Sequence, residues 1–228
     1  MQSNIKIGRI TGVLLFTIVA LGIPAMNLRN LFSSMAWTSG LLEHIFENTF
    51  QIRISIFLDL VVSGLWLSLA IWLLPVIKQF RKGFAYWFLG IWTLHFAVVL
   101  FGLISELSLL SLADVFANSS GTSEEILVGL GTLNLEEYFW SHYLAVLLFS
   151  TAMLSLYFVF YQTKLIPRFL SVWGMVAISI VFVACQLALF NIKVDFTFFG
   201  QNGVHLLVLI GWLLAKGFNT SPITLRTS

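Results

Sequence analysis

Six stretches of about 20 mostly apolar residues constrain this chain more than any other feature of its sequence. A bilayer hydrocarbon core about 30 Å thick is crossed by about 20 apolar residues in an α-helix. Helices are favoured there because they satisfy every backbone hydrogen bond within the segment. The sequence therefore predicts an all-α integral membrane bundle of six transmembrane helices, forming a single domain over residues 1–228. The predicted spans are 7–26, 52–77, 84–107, 138–161, 167–190 and 199–218.

The composition supports a membrane protein. Charged residues make up 10% of the chain and hydrophobic residues 59%, whereas soluble globular domains carry roughly 25% charged residues. The single cysteine, Cys185, excludes an intrachain disulfide and a cysteine-rich metal site. No run of basic residues indicates nucleic-acid binding, so membrane lipids are the first expected partners. The sequence leaves open whether the chain forms a homo-oligomer or associates with a partner subunit.

The distribution of basic residues predicts the orientation of the spans, because cytoplasmic loops carry an excess of lysine and arginine. With both termini in the cytoplasm, nine of the 12 basic residues fall on the cytoplasmic side and no acidic residue does. These nine are Lys6, Arg9, Lys78, Arg81, Lys82, Lys164, Arg168, Lys216 and Arg226. We therefore expect the N-terminus and the C-terminus to be cytoplasmic.

Two predicted loops are long. Residues 27–51 include the sequence LLEHIFENTF, which is typical of a short amphipathic helix at the membrane interface. Residues 114–137 include NSSGTSEE, a polar and turn-rich segment. Gly8 and Gly12 form a GxxxG pattern, but they lie at the edge of the first span, where a dimer interface is not favoured.

The most informative residues for function are the polar side chains inside the predicted spans. A charge at bilayer depth costs several kcal/mol unless it is paired, hydrated or neutralised, so each such residue is a candidate for a functional site. Counting about 1.5 Å per residue along each helix places five of them in the outer half of the membrane. They are Asp59, Glu106, His142, Gln186 and His205. His95 lies near the midplane of the third span.

If these helices bundle with the polar groups inward, the side chains line a pocket that opens to the outer face. Structural alternatives stay open for each residue. Glu106 is close enough to the interface to be hydrated there, His142 fits a residue of the interfacial aromatic belt, and Gln186 fits an interhelical hydrogen bond. His95 fits a buried structural histidine. Asp59 is the strongest candidate, with a pair to Arg53 or to a histidine as the alternative.

Several histidines and carboxylates also form candidate metal ligands. His44 and Glu47 are three residues apart in the outer loop, so both fit one side of a helical turn. The candidate set is His44, Glu47, Asp59, His142 and His205. The sequence contains no HExxH pattern, no GxSxG elbow and no phosphate-binding loop.

Three segments together carry a family resemblance. They are GRITGVLLF at the start of the first span, YQTKLIPRFLSVWGM between the fourth and fifth, and GWLLAKGF at the end of the sixth. With these segments the chain resembles the bacterial membrane family catalogued as domain of unknown function 4386. The resemblance implies a multi-pass protein of the bacterial plasma (inner) membrane and implies no activity or cofactor. Members tend to carry an acidic residue in the first half of the last helix, where this chain has His205.

Three functions are compatible with these observations. The first is a protein that binds or transports a small solute, a proton or a lipid through the outward-facing polar pocket. The second is a structural or accessory subunit of a membrane complex, whose polar residues fix helix packing. The third is a metal-assisted membrane-embedded hydrolase at the outer leaflet, which requires at least three converging ligands and an open position for water.

Overall fold

The computed structural model describes residues 2–29, 40–118, 124–190, 192 and 197–219. Within these ranges the chain forms seven α-helices and no strand. The helices are α1 (Gln2–Arg29), α2 (Leu41–Glu47), α3 (Thr49–Phe80), α4 (Lys82–Asn118), α5 (Glu124–Thr163), α6 (Arg168–Leu189) and α7 (Thr197–Lys216). The prediction of an all-α fold is confirmed for this part of the chain.

Among the described residues, five helices are long and apolar enough to cross a membrane. They are α1, α3, α4, α5 and α6, and they match the first five predicted spans. The sixth predicted span corresponds to α7, a helix of 20 residues that is not one of these five. These five helices indicate a multi-pass membrane protein. The crossing of the membrane by a sixth helix stays a prediction.

The two long connecting segments are more helical than the sequence predicted. The short helix expected in LLEHIFENTF is confirmed as α2. The loop predicted over 114–137 is wrong, because α4 continues to Asn118 and α5 already begins at Glu124. Both helices are supported by buried apolar residues that continue beyond the predicted spans, such as Ala113 and Leu135. The segment 119–123, which includes most of the polar turn, lies outside the described residues.

Helix α1 also extends beyond its predicted end at Met26. It continues through Pro24 and ends at Arg29. Proline removes one backbone donor from a helix and often ends it. Pro24 lies near the predicted end of the first span, yet α1 continues past it. Three additional residues carry the chain to Arg29, a position that matters for the site described below.

The helices divide into two compact units, and α1, α3, α4 and α5 each contribute residues to both. The first unit comprises Met1–Ile18, Leu65–Phe96 and Tyr143–Ser228, and the second comprises Val19–Gly64 and Ala97–His142. The second unit has a core of buried side chains from α2, α3, α4 and α5. This core is formed by Leu41, Leu42, Ile45, Ile52, Ile56, Leu103, Leu109, Leu110, Ala113, Leu135 and Tyr138.

In the first unit, the GxxxG pattern serves packing within the chain. A Cβ atom added at Gly8 would lie 2.6 Å from the carbonyl carbon of Gly217, and one added at Gly12 would lie 3.1 Å from the amide nitrogen of Leu214. Small residues let two helix backbones approach closely. Gly8 and Gly12 therefore seat α1 against the end of α7 within one molecule.

Candidate functional site

A buried arginine organises the polar residues of the second unit. Arg29 is the last residue of α1, and its side chain is only 4% exposed. Its Nη2 donates to Asp59 Oδ2, its Nε lies 2.5 Å from Glu106 Oε1, and its Nη1 donates to the Tyr138 hydroxyl at 2.5 Å. The guanidinium carbon also lies 5.1 Å from the centroid of the Tyr138 ring. We call Arg29, Asp59, Glu106 and Tyr138 the Arg29 cluster.

Four different helices supply the four members of the Arg29 cluster. Arg29 comes from α1, Asp59 from α3, Glu106 from α4 and Tyr138 from α5. One turn before Asp59, the Ser55 hydroxyl donates to the Ala25 carbonyl oxygen at 2.7 Å, which holds α3 against α1. The planar guanidinium has five N–H donors in a rigid fork, so it can contact several partners that approach from different directions.

The charges of the Arg29 cluster do not cancel. One guanidinium carries +1, and two carboxylates carry −1 each, which leaves a formal excess of one negative charge. The excess matters because Glu106 is only 1% exposed, and removing a charge from water costs several kcal/mol unless it is compensated. Asp59 is 25% exposed and is the more accessible carboxyl group of the two.

His142 lies beside the Arg29 cluster. It is one turn after Tyr138 on α5, and the centroids of the two rings are 6.1 Å apart. Its side chain is exposed at the helix surface. Asp59, Glu106 and His142 therefore lie in one neighbourhood of the second unit. The predicted alternative partner of Asp59 was Arg53 or a histidine, and the structure pairs Asp59 with Arg29 instead.

His205 belongs to the first unit and is completely buried there. Its Nε2 donates to the Leu170 carbonyl oxygen at 2.9 Å, and its Nδ1 lies 3.3 Å from the Tyr157 hydroxyl. A Cβ atom at Gly174 would lie 2.7 Å from the imidazole Cε1, so this glycine provides the space for the ring. Both ring nitrogens have partners within the fold.

His205 contacts the beginning of α6. Leu170 and Gly174 lie in the first two turns of α6, just after the basic turn that contains Lys164 and Arg168. His205 thus lies near the end of α6 that we predict to be cytoplasmic, whereas counting along the sixth span had placed it in the outer half. Counting assumes that all helices start at the membrane surface and run parallel, so the depth of His205 stays a prediction.

The remaining pocket candidates also lie in the first unit. His95 is buried on α4 beside Trp92 and Phe149, with ring centroids 5.2 Å and 6.3 Å away. Gln186 is half-buried on α6. The aromatic surroundings of His95 fit the buried structural histidine considered for it.

The candidate metal ligands are dispersed. His44 lies on α2, where its Nδ1 is 3.3 Å from the Asn48 amide nitrogen, and Glu47 is exposed. In the described ranges, no group of three or more histidine, cysteine, aspartate or glutamate side chains is arranged to hold a metal ion. The described residues therefore offer no assembled metal centre.

Two members of the Arg29 cluster were not predicted as site residues. Arg29 falls within the long predicted loop over 27–51, and Tyr138 is the first residue of the fourth predicted span. A signal for Arg29 exists in the sequence, since it follows the predicted end of the first span by three residues. At that distance an arginine side chain can reach back toward carboxylates near the outer ends of neighbouring helices.

Comparison with known proteins agrees with the resemblance seen in the sequence. No curated protein and no solved structure matches the chain. Residues 10–217 match the family described as domain of unknown function 4386. That match covers α1 from residue 10 onward and the whole of α2 to α7, and the chain therefore belongs to this family.

Proposed function

We propose that this protein is a multi-pass membrane protein that binds one exchangeable monovalent cation, a proton or an alkali metal ion, at the Arg29 cluster. The observation that carries the proposal is the uncompensated negative charge in this cluster. Glu106 is almost fully buried, and one further positive charge would neutralise the site. Binding of a small cation or solute at an outward-facing polar site is thus favoured over the other functions considered.

The proposed topology places this site on the outer side. We propose six crossings, with α7 as the sixth, and cytoplasmic N- and C-termini in a bacterial plasma membrane. Basic residues concentrate in the turns after α3 and α5, as the positive-inside rule requires. We also propose that both units belong to one membrane domain, because α1, α3, α4 and α5 each contribute residues to both of them.

Access to the Arg29 cluster runs through Asp59, the more exposed carboxylate. The groups that face the site are Arg29, Asp59, Glu106, Tyr138 and His142, from α1, α3, α4 and α5. An arriving cation meets Asp59 first and is then held between Asp59 and Glu106, where it completes the charge balance. Tyr138 supplies a hydroxyl that orients the guanidinium.

The substitution Glu106→Gln tests this proposal. It keeps the size of the side chain and makes the formal charge of the cluster zero, so the variant is expected to be as stable as the wild type or more stable. It is also expected to lose the response to the bound cation. Infrared spectra of the purified protein in nanodiscs at neutral pH follow protonated carboxyl groups, and thermal unfolding in sodium or choline chloride follows alkali-ion binding.

The two cations give different results. If the ligand is a proton, the wild type shows a protonated-carboxyl band that disappears in Glu106→Gln, and sodium has no specific effect. If it is an alkali ion, sodium stabilises the wild type but not Glu106→Gln, and the band is absent. The control is Glu47→Gln, which removes an exposed carboxylate of the same unit and is expected to change neither signal. A wild type with neither signal overturns the proposal.

One observation favours a structural or accessory role as the second candidate. The Arg29 cluster joins four helices through one buried side chain, and polar residues in membrane proteins often fix helix packing. If packing is its whole role, Glu106→Gln changes stability without changing any response to cations. The metal-dependent hydrolase gains no support from the described residues.

A further inference from the structure

The first part of α5 has two different faces. One face buries Gly131, Leu135 and Tyr138 in the core of the second unit. The opposite face exposes Ile126, Leu130 and Leu133, which are 67%, 46% and 60% exposed. Their spacing of three and four residues places them in one line along the helix. We call Ile126, Gly129, Leu130 and Leu133 the α5 stripe.

The α5 stripe lies outside the hydrocarbon core of the membrane. Helix α5 has 40 residues and is about 60 Å long, twice the thickness of a bilayer core of about 30 Å. Four exposed glutamates accompany the stripe: Glu124, Glu125, Glu136 and Glu137. Exposed carboxylates are not tolerated among acyl chains. The stripe therefore faces water, where a line of large apolar side chains marks an interaction site.

Gly129 indicates what kind of surface this stripe meets. Glycine in a helix costs about 1 kcal/mol relative to alanine. Packing within the protein explains the glycine at position 131, because an added Cβ atom there would lie 3.0 Å from Leu42 Cδ2. At Gly129, no heavy atom of the described residues lies within 4 Å of that position, apart from the nearby backbone of α5 itself. A glycine in the middle of an open apolar stripe permits close approach of a second helix backbone.

The charge of the surroundings indicates the chemistry of the partner. The described part of the second unit has seven exposed acidic residues and only one exposed basic residue, Arg53. The acidic residues are Glu43, Glu47, Asp114, Glu124, Glu125, Glu136 and Glu137. A second copy of this chain would bring the same negative charges to the contact and be repelled. A basic partner is attracted.

From these observations we infer that the α5 stripe docks an amphipathic helix of another protein, whose apolar face is flanked by lysine or arginine. The partner's apolar side chains cover Ile126, Leu130 and Leu133, and its backbone approaches at Gly129. Its basic side chains lie near Glu125 and Glu136, which border the stripe on one side. This surface is separate in function from cation binding at the Arg29 cluster.

A synthetic peptide helix tests the inference directly. The probe has leucines along one face and lysines beside them, and the control peptide has glutamates in place of the lysines. Binding is measured by fluorescence anisotropy against the full chain in phosphatidylcholine nanodiscs, with empty nanodiscs as the blank. The lysine peptide is expected to bind the protein above the blank, with an affinity that falls as salt rises, and the glutamate peptide is not.

Variants of the stripe separate docking from general adhesion. The double substitution Leu130→Gln and Leu133→Gln is expected to weaken binding about tenfold or more, since central apolar contacts carry most of the affinity. Gly129→Leu is the sharper variant. It enlarges the apolar surface but blocks close approach, so it weakens docking, whereas it would strengthen simple hydrophobic adhesion. Thr132→Gln, which is exposed but off the stripe, is expected to leave binding unchanged.

Matched charge variants complete the test. Glu125→Gln with Glu136→Gln removes two charges beside the stripe, and Glu43→Gln with Glu47→Gln removes two exposed charges on α2. The first pair is expected to weaken binding several-fold and the second to have little effect. Equal effects of the two pairs, stronger binding to Gly129→Leu, or no binding to the wild type overturns the inference.

A labelling experiment examines lipid as the alternative occupant of the stripe. Leu130→Cys is introduced in a chain with Cys185→Ser, which removes the buried native thiol. A water-soluble maleimide is expected to label the introduced thiol rapidly in nanodiscs and slowly after the lysine peptide is added. Slow labelling in nanodiscs without peptide, together with fast labelling in detergent, assigns the stripe to lipid and contradicts docking of a helix.

Discussion

Replacing Arg29 with alanine is expected to destabilise the protein by about 3–5 kcal/mol, the range seen when one partner of a buried ion pair is removed. The change leaves Glu106, which is 1% exposed, and Asp59 without their common cation. It also removes a donor to the Tyr138 hydroxyl. Thermal unfolding of the purified protein in nanodiscs, followed by the fraction that stays monodisperse, measures the loss.

Two companion variants identify the cause. Arg53→Ala removes an exposed arginine of the same unit and is expected to change stability by no more than about 0.5 kcal/mol. Adding Asp59→Asn and Glu106→Gln to Arg29→Ala is expected to restore much of the loss, because the unpaired charges are then gone. An Arg29→Ala protein as stable as Arg53→Ala would show that the ion pairs contribute little.

Replacing Gly8 with alanine is the second change with a large expected effect. The new Cβ atom would lie 2.6 Å from the Gly217 carbonyl carbon and also meet the Phe218 backbone. Backbone atoms cannot rotate away as a side chain does, so α1 must shift from the end of α7. Overpacking of this kind typically costs about 1–3 kcal/mol or more, which a lower unfolding temperature in nanodiscs would report.

Gly22 on the same helix provides the control. A Cβ atom there would have Val62 Cγ1 at 4.0 Å, an ordinary contact distance. Gly22→Ala is expected to be neutral or to stabilise the helix by up to about 1 kcal/mol. If Gly8→Ala behaves like Gly22→Ala, the close seating of α1 on α7 does not contribute to stability.

The apolar pattern was sufficient to predict most of the fold. Five of the predicted spans coincide with long helices because about 20 apolar residues in a row have one stable conformation in a bilayer. The pattern could not predict where helices end in water. At residues 114–137, the helices continue because they pack on α2 through a core that joins residues far apart in the sequence.

The candidate site was predicted in part, for a related reason. Asp59 and Glu106 stand out because a carboxylate in an apolar run is unusual. Their partner Arg29 lies beyond an apolar run and a proline, where a charge is ordinary. Its importance arises from the packing of α1, α3 and α4, and its position three residues after the first predicted span is only a weak local signal of that packing. The contacts of His205 with Leu170 and at Gly174 likewise depend on packing, which counting along one span does not include.

The order of synthesis gives the Arg29 cluster a further role. Arg29 is made 30 residues before Asp59 and 109 residues before Tyr138. Until those helices have entered the membrane, the guanidinium has none of its eventual partners and must stay hydrated at the end of α1. Each later helix then brings in one partner, and α5 brings the last. The cluster is therefore complete only in a chain whose first four long helices have all been inserted in the correct register, so its formation reports correct assembly.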